Sequence, residues 1–311
     1  MSTNRILLCP GQGAQQVGMG RAWFESSPVA AQTFAAADEI LSDTLDRPLS
    51  DICFNGPNDQ LNRTDIAQPA LFVCAVASHQ ALVTAGWAEP PVATAGLSLG
   101  EYTALHLAGA LSFTDALKLV ALRGSAMQDA AESSEGSMVA VIGATLEQAE
   151  QLCDSARQQD VLQPANLNAP GQIVISGSAS ACARAIDAAA DLSLRATSLA
   201  VAGAFHSPLM QPAADRLESA LANTEFKAPT CPVLSNVTGQ PHAPDGDRSL
   251  EDTIRARLVE QLTMPVRWIE NCQWLANNAT GEYHELAPGK VLKGLMRRID
   301  KSISVEAHDE P

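Results

Sequence analysis

A serine set between two glycines, Gly96-Leu97-Ser98-Leu99-Gly100, is the place where this sequence could do covalent chemistry. It follows the apolar run Ala93-Thr94-Ala95 and precedes Glu101-Tyr102-Thr103-Ala104-Leu105. That order predicts a strand bending sharply into a helix with Ser98 at the bend. A serine hydroxyl is a poor nucleophile until such a turn holds it exposed against a base. The flanking glycines leave room for the turn, and the new helix aims backbone N–H groups at the site. The geometry suits attack on a carbonyl. The same five residues also read as a plain helix start with Ser98 as its N-cap, because serine is a favoured cap.

A base is needed, and of the six histidines His206 is the best placed. It sits in Gly203-Ala204-Phe205-His206-Ser207, where an inserted segment returns to the main pattern and a helix begins. His242 and His308 fall in polar, acidic stretches expected to be loops, His106 lies well down the helix after the bend, and His79 reads as a core or interface histidine on a long apolar helix. Arg123 stands among Leu117, Val120, Ala121 and Leu122 just before Gly124. It either snorkels to solvent or turns inward, where its fork of donors would recognise a carboxylate bidentately. The loop Pro10-Gly11-Gln12-Gly13-Ala14-Gln15 lacks the lysine of a P-loop and the spacing of a dinucleotide fingerprint. Its glycines would let a backbone N–H approach a ligand as half of an oxyanion hole, or form an ordinary turn.

These residues must be positioned by an α/β framework. Ile6-Leu7-Leu8-Cys9 reads as a short buried strand, Pro28 to Leu41 and Ile66 to Gly86 as helices, and Thr114-Asp115 as the cap of a helix running to Met127. Composition changes after Glu135. Strand 138–142, helix 145–157, strands 161–167 and 172–176, helix 178–190 and strand 195–199 follow in the βαββαβ order of a ferredoxin-like sheet. The expected organisation is an α/β hydrolase-like domain of residues 1–131 and 203–311 interrupted by a small subdomain of residues 132–202. Beyond the insertion come a helix ending near Asn223, a short strand Val233-Leu234-Ser235, a helix from Leu250 to Leu262, a helix opened by Pro265 and a last strand near Tyr283 to Leu286. On the final helix Lys290, Lys293, Arg297 and Lys301 fall on one face and Leu292, Leu295 and Ile299 on the other. Such a stripe is either a solvated face or a landing place for an acidic partner.

Length and charge bound the remainder. The 311 residues can bury a large core, the net charge of −15 argues against general nucleic-acid binding, and no unbroken apolar run reaches a membrane span. The start, Met1-Ser2-Thr3-Asn4-Arg5, has no signal-peptide pattern. Seven cysteines show neither paired spacing nor metal-ligand spacing, which suits buried thiols in a reducing, cytoplasmic protein without a metal.

Seven blocks, in order, carry a family resemblance: Pro10 to Gln15, Gln68-Pro69-Ala70, Gly96 to Tyr102, Arg123-Gly124, Asn168-Ala169-Pro170-Gly171-Gln172, Gly203 to Ser207, and Pro288-Gly289-Lys290-Val291-Leu292. Over nearly its whole length the chain resembles the malonyl-CoA:acyl-carrier-protein transacylases of fatty acid and polyketide synthesis. The resemblance implies a hydrolase-like α/β core with a ferredoxin-like insertion, Ser98 as nucleophile, His206 as base oriented by the backbone carbonyl of Gln261, and an oxyanion hole of the Gln12 and Leu99 amides. It further implies Arg123 as a carboxylate clamp, Phe205 as a bulky neighbour of the acyl α-carbon, malonyl-CoA and acyl carrier protein as partners, no prosthetic group, and a monomer. Leu97 stands where most members carry histidine, leaving an apolar side chain beside the substrate, and Ala287 replaces the usual glycine before Pro288-Gly289.

Overall fold

Ile6, Leu7, Leu8 and Cys9 have no polar side chain to show to water, and they form the middle of a parallel sheet with both faces covered. The computed structural model describes residues 4–87 and 89–311, so Met1, Ser2 and Thr3 of the opening segment lie outside the described residues. Eight strands occur among them: β1 (Arg5–Cys9), β2 (Ala93–Gly96), β3 (Gly136–Ile142), β4 (Leu162–Ala169), β5 (Gln172–Ser178), β6 (Arg195–Ser198), β7 (Glu282–Leu286) and β8 (Val305–His308). They make two sheets, β2-β1-β7-β8 and β4-β5-β3-β6.

All pairs in the first sheet are parallel, and Cys9 lies in register with Gly96. The loop that begins at Pro10 and the turn that begins at Leu97 therefore leave the sheet side by side at its carboxyl edge, where open α/β sheets place their ligands. Val233 adds a single parallel bridge to Thr94 where a short strand was expected. β8 was not anticipated. Its sequence Val-Glu-Ala-His carries one buried apolar residue, because an edge strand buries little and writes little into its hydrophobic pattern.

The helix Thr64–Thr84 is long and apolar enough to cross a membrane, although polar residues break every uninterrupted apolar run in it. It is a core helix: most of its length is buried, packed between the helices Pro28–Ile40 and Phe113–Glu132. The latter begins one residue before Thr114 and is capped by Ser112, whose Oγ accepts from the Asp115 amide at 3.0 Å. It runs on to Glu132, past the expected end at Met127. The helix after Pro265 starts only at Trp268. The last helix, Val291–Ile299, buries Leu292, Leu295 and Met296 and leaves Lys293 and Arg297 exposed; Lys301 lies beyond its end.

The second sheet is antiparallel, with β3 between β5 and β6 and β4 on the edge, and carries the helices Leu146–Arg157 and Ala179–Ala188 packed on each other. It has its own apolar core of residues such as Val139, Val141, Leu152 and Ile175. The helix Leu146–Arg157 opens on a capping box between Thr145 and Gln148. Edge strand β4 is tied to the chain ahead of Trp268: Val266 donates to Ala165 O at 2.8 Å and accepts from the Leu167 amide at 2.9 Å. The inserted sheet thereby becomes one wall of whatever lies above the carboxyl edge of the first.

Where β2 bends into the next helix, a Cβ on Gly96 would collide with the Gly100 backbone, and no flexible side chain is there to give way. Gly96→Ala is expected to lower unfolding stability by roughly 1–3 kcal/mol or more, read as a lower urea midpoint at unchanged m-value. A loss below about 0.5 kcal/mol would mean that the turn relaxes freely.

Candidate active site

Ser98 sits at the end of β2 with φ 53°, a left-handed conformation that a serine adopts only where its surroundings enforce it. Asn236 enforces it, accepting from the Ser98 amide at 2.6 Å and donating to Gly96 O at 2.8 Å. The helix that follows begins at Gly100 with Leu99 as its cap position, so Ser98 is not a helix cap. Its Oγ lies 2.9 Å from His206 Nε2 and accepts from Arg123 Nη2 at 3.0 Å. Serine, imidazole and guanidinium are brought together from three distant stretches of chain.

His206 also has a left-handed φ, 57°, and only 4% of it is exposed. Its Nδ1 donates to Gln261 O at 2.7 Å, which leaves the lone pair on Nε2 facing the Ser98 hydroxyl. Burial, and secondarily the Arg123 charge, push its pKa down to about 4, so the imidazole is neutral at pH 7 and free to take a proton. Gln163 Nε2, from β4, donates to the carbonyls of His206 and Thr263, both at 2.9 Å. The inserted sheet thus holds the backbone that carries the base.

Arg123 is 1% exposed, which rules out the snorkelling reading. Its bonds run to Gln68 Oε1 at 2.6 Å, Gln261 Oε1 at 2.9 Å and Ser98 Oγ, all uncharged, and its Nε has no partner among the described residues. A cation buried among neutral acceptors retains most of its desolvation cost and gains sharply from an anion. The Gln12 and Leu99 amides, proposed for an oxyanion hole, have no hydrogen-bond acceptor among the described residues. The Gln12 side chain donates to Thr64 Oγ1 at 3.3 Å. A cavity of about 420 Å³ opens here, lined by Gln12, Leu97, Ser98, Phe205 and His206 on one side and by Met138, Asn166 and Val174 of the small sheet on the other.

A nucleophile at a strand-to-helix bend, a neutral histidine and two free amides make an acyl-transfer site, and comparison with known proteins agrees. The acyl transferase domain family model matches residues 6–300. The chain belongs to that family. It is 40% identical over 306 residues to the malonyl CoA-acyl carrier protein transacylase of Bacillus subtilis, covering 98% of this chain and 93% of that one. The structure of the corresponding protein from Coxiella burnetii superposes with a TM-score of 0.93 at 36% identity, covering 100% of this chain and 95% of that one. A malonyl-transacylase solved in complex with its type II PKS acyl-carrier protein matches at a TM-score of 0.91 and 37% identity, covering 99% of this chain and 97% of that one.

Behind the nucleophile this acyltransferase carries polar residues that sequence reasoning missed. Glu101, 1% exposed, accepts from the Asn236 amide at 2.9 Å and Gln261 Nε2 at 2.8 Å through Oε2, and its Oε1 lies 2.8 Å from His242 Nε2. His242 is buried and not in an exposed acidic loop, because its amide donates back to Val233 O and folds the segment inward. His308 is likewise in β8 rather than a loop, and His79 is held neutral by burial, its pKa near 4. Nothing in the residues around Asn236 or Glu101 signals their role, because the groups that Glu101, Asn236 and Ser98 share lie more than a hundred residues apart in the chain.

The base sets the acid limit of the reaction. Only neutral His206 can take the Ser98 proton, and protonation sets in near its lowered pKa of about 4 rather than the ordinary 6.5. The rate of Ser98 acylation, followed by stopped-flow thiol release, is expected to hold from pH 7 to near 5 and to fall below that. An acid limb centred near 6.5 would show that the imidazole is solvated in the working enzyme.

Proposed function

We propose that this acyltransferase moves a malonyl group from malonyl-CoA to the phosphopantetheine thiol of acyl carrier protein through a malonyl-Ser98 intermediate. Ser98 Oγ attacks the thioester carbonyl while His206 Nε2 takes its proton, and the oxygen that gains charge is received by the Gln12 and Leu99 amides. Collapse breaks the C–S bond, and His206 returns the proton to the departing thiolate. In the second half the carrier thiol gives its proton to His206 and attacks the Ser98 ester; the C–O bond to Ser98 then breaks, His206 returns the proton to Ser98 Oγ, and the carrier leaves as the malonyl thioester. An oxyanion-hole donor contributes on the order of 10²–10³ in rate.

The observation that carries the malonyl reading is the buried Arg123 guanidinium, held by neutral side chains within hydrogen-bond reach of Ser98 Oγ. It supports an acyl group ending in a carboxylate, with the ring of Phe205 and the apolar Leu97 along the cavity wall. Phe205 leaves little room at the α-carbon and disfavours methylmalonyl, a discrimination of roughly 1–3 kcal/mol for one methyl. The competing reading, an acyl hydrolase of the same fold, predicts free malonate without transfer. A silent carrier-protein binding module predicts no malonyl adduct on Ser98. No metal or prosthetic group enters the scheme. Seven free, buried thiols support a reducing, cytoplasmic setting, and the acidic surface supports a monomer that contacts neither nucleic acid nor membrane.

Two measurements test the scheme, each with purified holo carrier protein and Ser98→Ala as the blank. Arg123→Ala is expected to reduce malonyl transfer by on the order of 10²-fold while acetyl transfer is spared or rises; equal loss on both overturns the clamp. The exposed Lys290, Lys293, Arg297 and Arg298 would receive the acidic face of the carrier protein. Charge reversal at Lys293 and Arg297 is expected to raise KM for carrier protein several-fold without changing malonyl loading from malonyl-CoA. An unchanged KM that still climbs with ionic strength would place the contact elsewhere.

A further inference from the structure

We propose that His284, Glu306 and His308 form a binding site for a divalent first-row transition-metal ion at the edge of the parallel sheet, separated by β1 from the nucleophile's strand. β7 and β8 run parallel with His284 in register with Glu306, and His308 lies two residues further on, so all three side chains stand on one face of the strand pair. His284 Nδ1 is 3.0 Å from His308 Nε2 and 3.4 Å from Glu306 Oε2. One atom from each residue falls within 4.8 Å of the other two. Two ring nitrogens at that spacing can both reach one ion at ~2.0–2.1 Å with an N–metal–N angle of roughly 90–97°. Imidazole with carboxylate at near-right angles suits Ni²⁺ or Cu²⁺ best, then Zn²⁺, and does not suit Mg²⁺.

The surroundings fit an ion as well as the ligands do. At present the two rings share one proton between Nδ1 and Nε2, which must move to the far nitrogen of its own ring to free both lone pairs. On His284 that far atom, Nε2, is buried without a hydrogen bond among the described residues and faces Glu282 Oε2 at 3.7 Å. A carboxylate behind a ligating imidazole is the arrangement that fixes its tautomer. Trp87 covers the rings at 4.6 Å from His284 and 5.1 Å from His308, with Arg5 on its own face at 4.7 Å. A surface cavity of about 440 Å³, lined by Glu282, His284, Ser302 and Glu306, gives an ion access. The ion would clip the last strand to the sheet; it takes no part in acyl transfer.

The test uses untagged, chelator-stripped protein titrated with NiCl₂ by calorimetry, with MgCl₂ as control and tryptophan fluorescence recorded alongside. The expected result is one Ni²⁺ per chain, partial quenching through Trp87, and no Mg²⁺ binding. Glu306→Gln, at an exposed residue unable to disturb folding, should weaken binding roughly 10-fold, and His308→Ala roughly 100-fold, both with malonyl transfer unchanged. Absence of stoichiometric binding to the wild type, or affinity and quenching unaltered in both variants, overturns the site.

Discussion

The exclusion of water from Arg123 and His206 together is the constraint on which the site depends. Burial disfavours the charged form of both groups, and they respond differently because a guanidinium holds its proton far more tightly than an imidazole. It lowers the imidazole's affinity for a proton, so His206 is a base at neutral pH. It also leaves the guanidinium, which stays charged, with amide and hydroxyl partners and no anion. The charge of Arg123 depresses the histidine further, so under the proposed scheme one cation would serve both proton transfer and substrate choice. An ion pair in its place would satisfy the arginine permanently and remove the reason to bind a carboxylate.

Two sheets build that dry space. The parallel sheet ends β1 and β2 in register, which places the Gln12 loop next to Ser98 without any contact between their side chains being needed. The antiparallel sheet forms one wall of the cavity and, through Gln163, holds the main-chain oxygens of His206 and of Thr263, two residues beyond the Gln261 carbonyl that orients the imidazole. The insertion is therefore part of the framework that holds His206 and encloses the cavity. Ser98 and His206 both sit on left-handed backbone, a strain of order 1–3 kcal/mol each that the surrounding hydrogen bonds must offset.

The buried Glu101 is at the centre of those hydrogen bonds. It gathers Asn236, Gln261 and His242, and through Asn236 it reaches the Ser98 amide and the Gly96 carbonyl. A buried carboxylate is costly unless hydrogen-bonded, and here the two Oε2 bonds end on Asn236, which shapes the bend, and on Gln261, which holds His206. Gln261 links the two halves: its backbone oxygen holds His206, while its side chain bridges Arg123, Ser98 O and Glu101.

Local chemistry was legible from sequence because it is written in neighbouring residues. Glycines flanking a serine after an apolar run define a sharp bend, βαββαβ periodicity defines the small sheet, and Leu292, Leu295 and Ile299 define the buried side of the last helix. Those elements form as read, to within a few residues. Long-range pairing was not legible. Whether Arg123 faced solvent or the pocket, whether Ser98 capped a helix or met His206, and where His242 and β8 would lie all depend on partners distant in the chain. Hydrophobic spacing records how much of an element is buried but not what it is buried against, and an edge strand or an inward-turned polar loop records almost nothing. The choice between an exposed and a desolvated charge belongs to the packed chain alone, because the dielectric around a side chain is a property of everything that surrounds it.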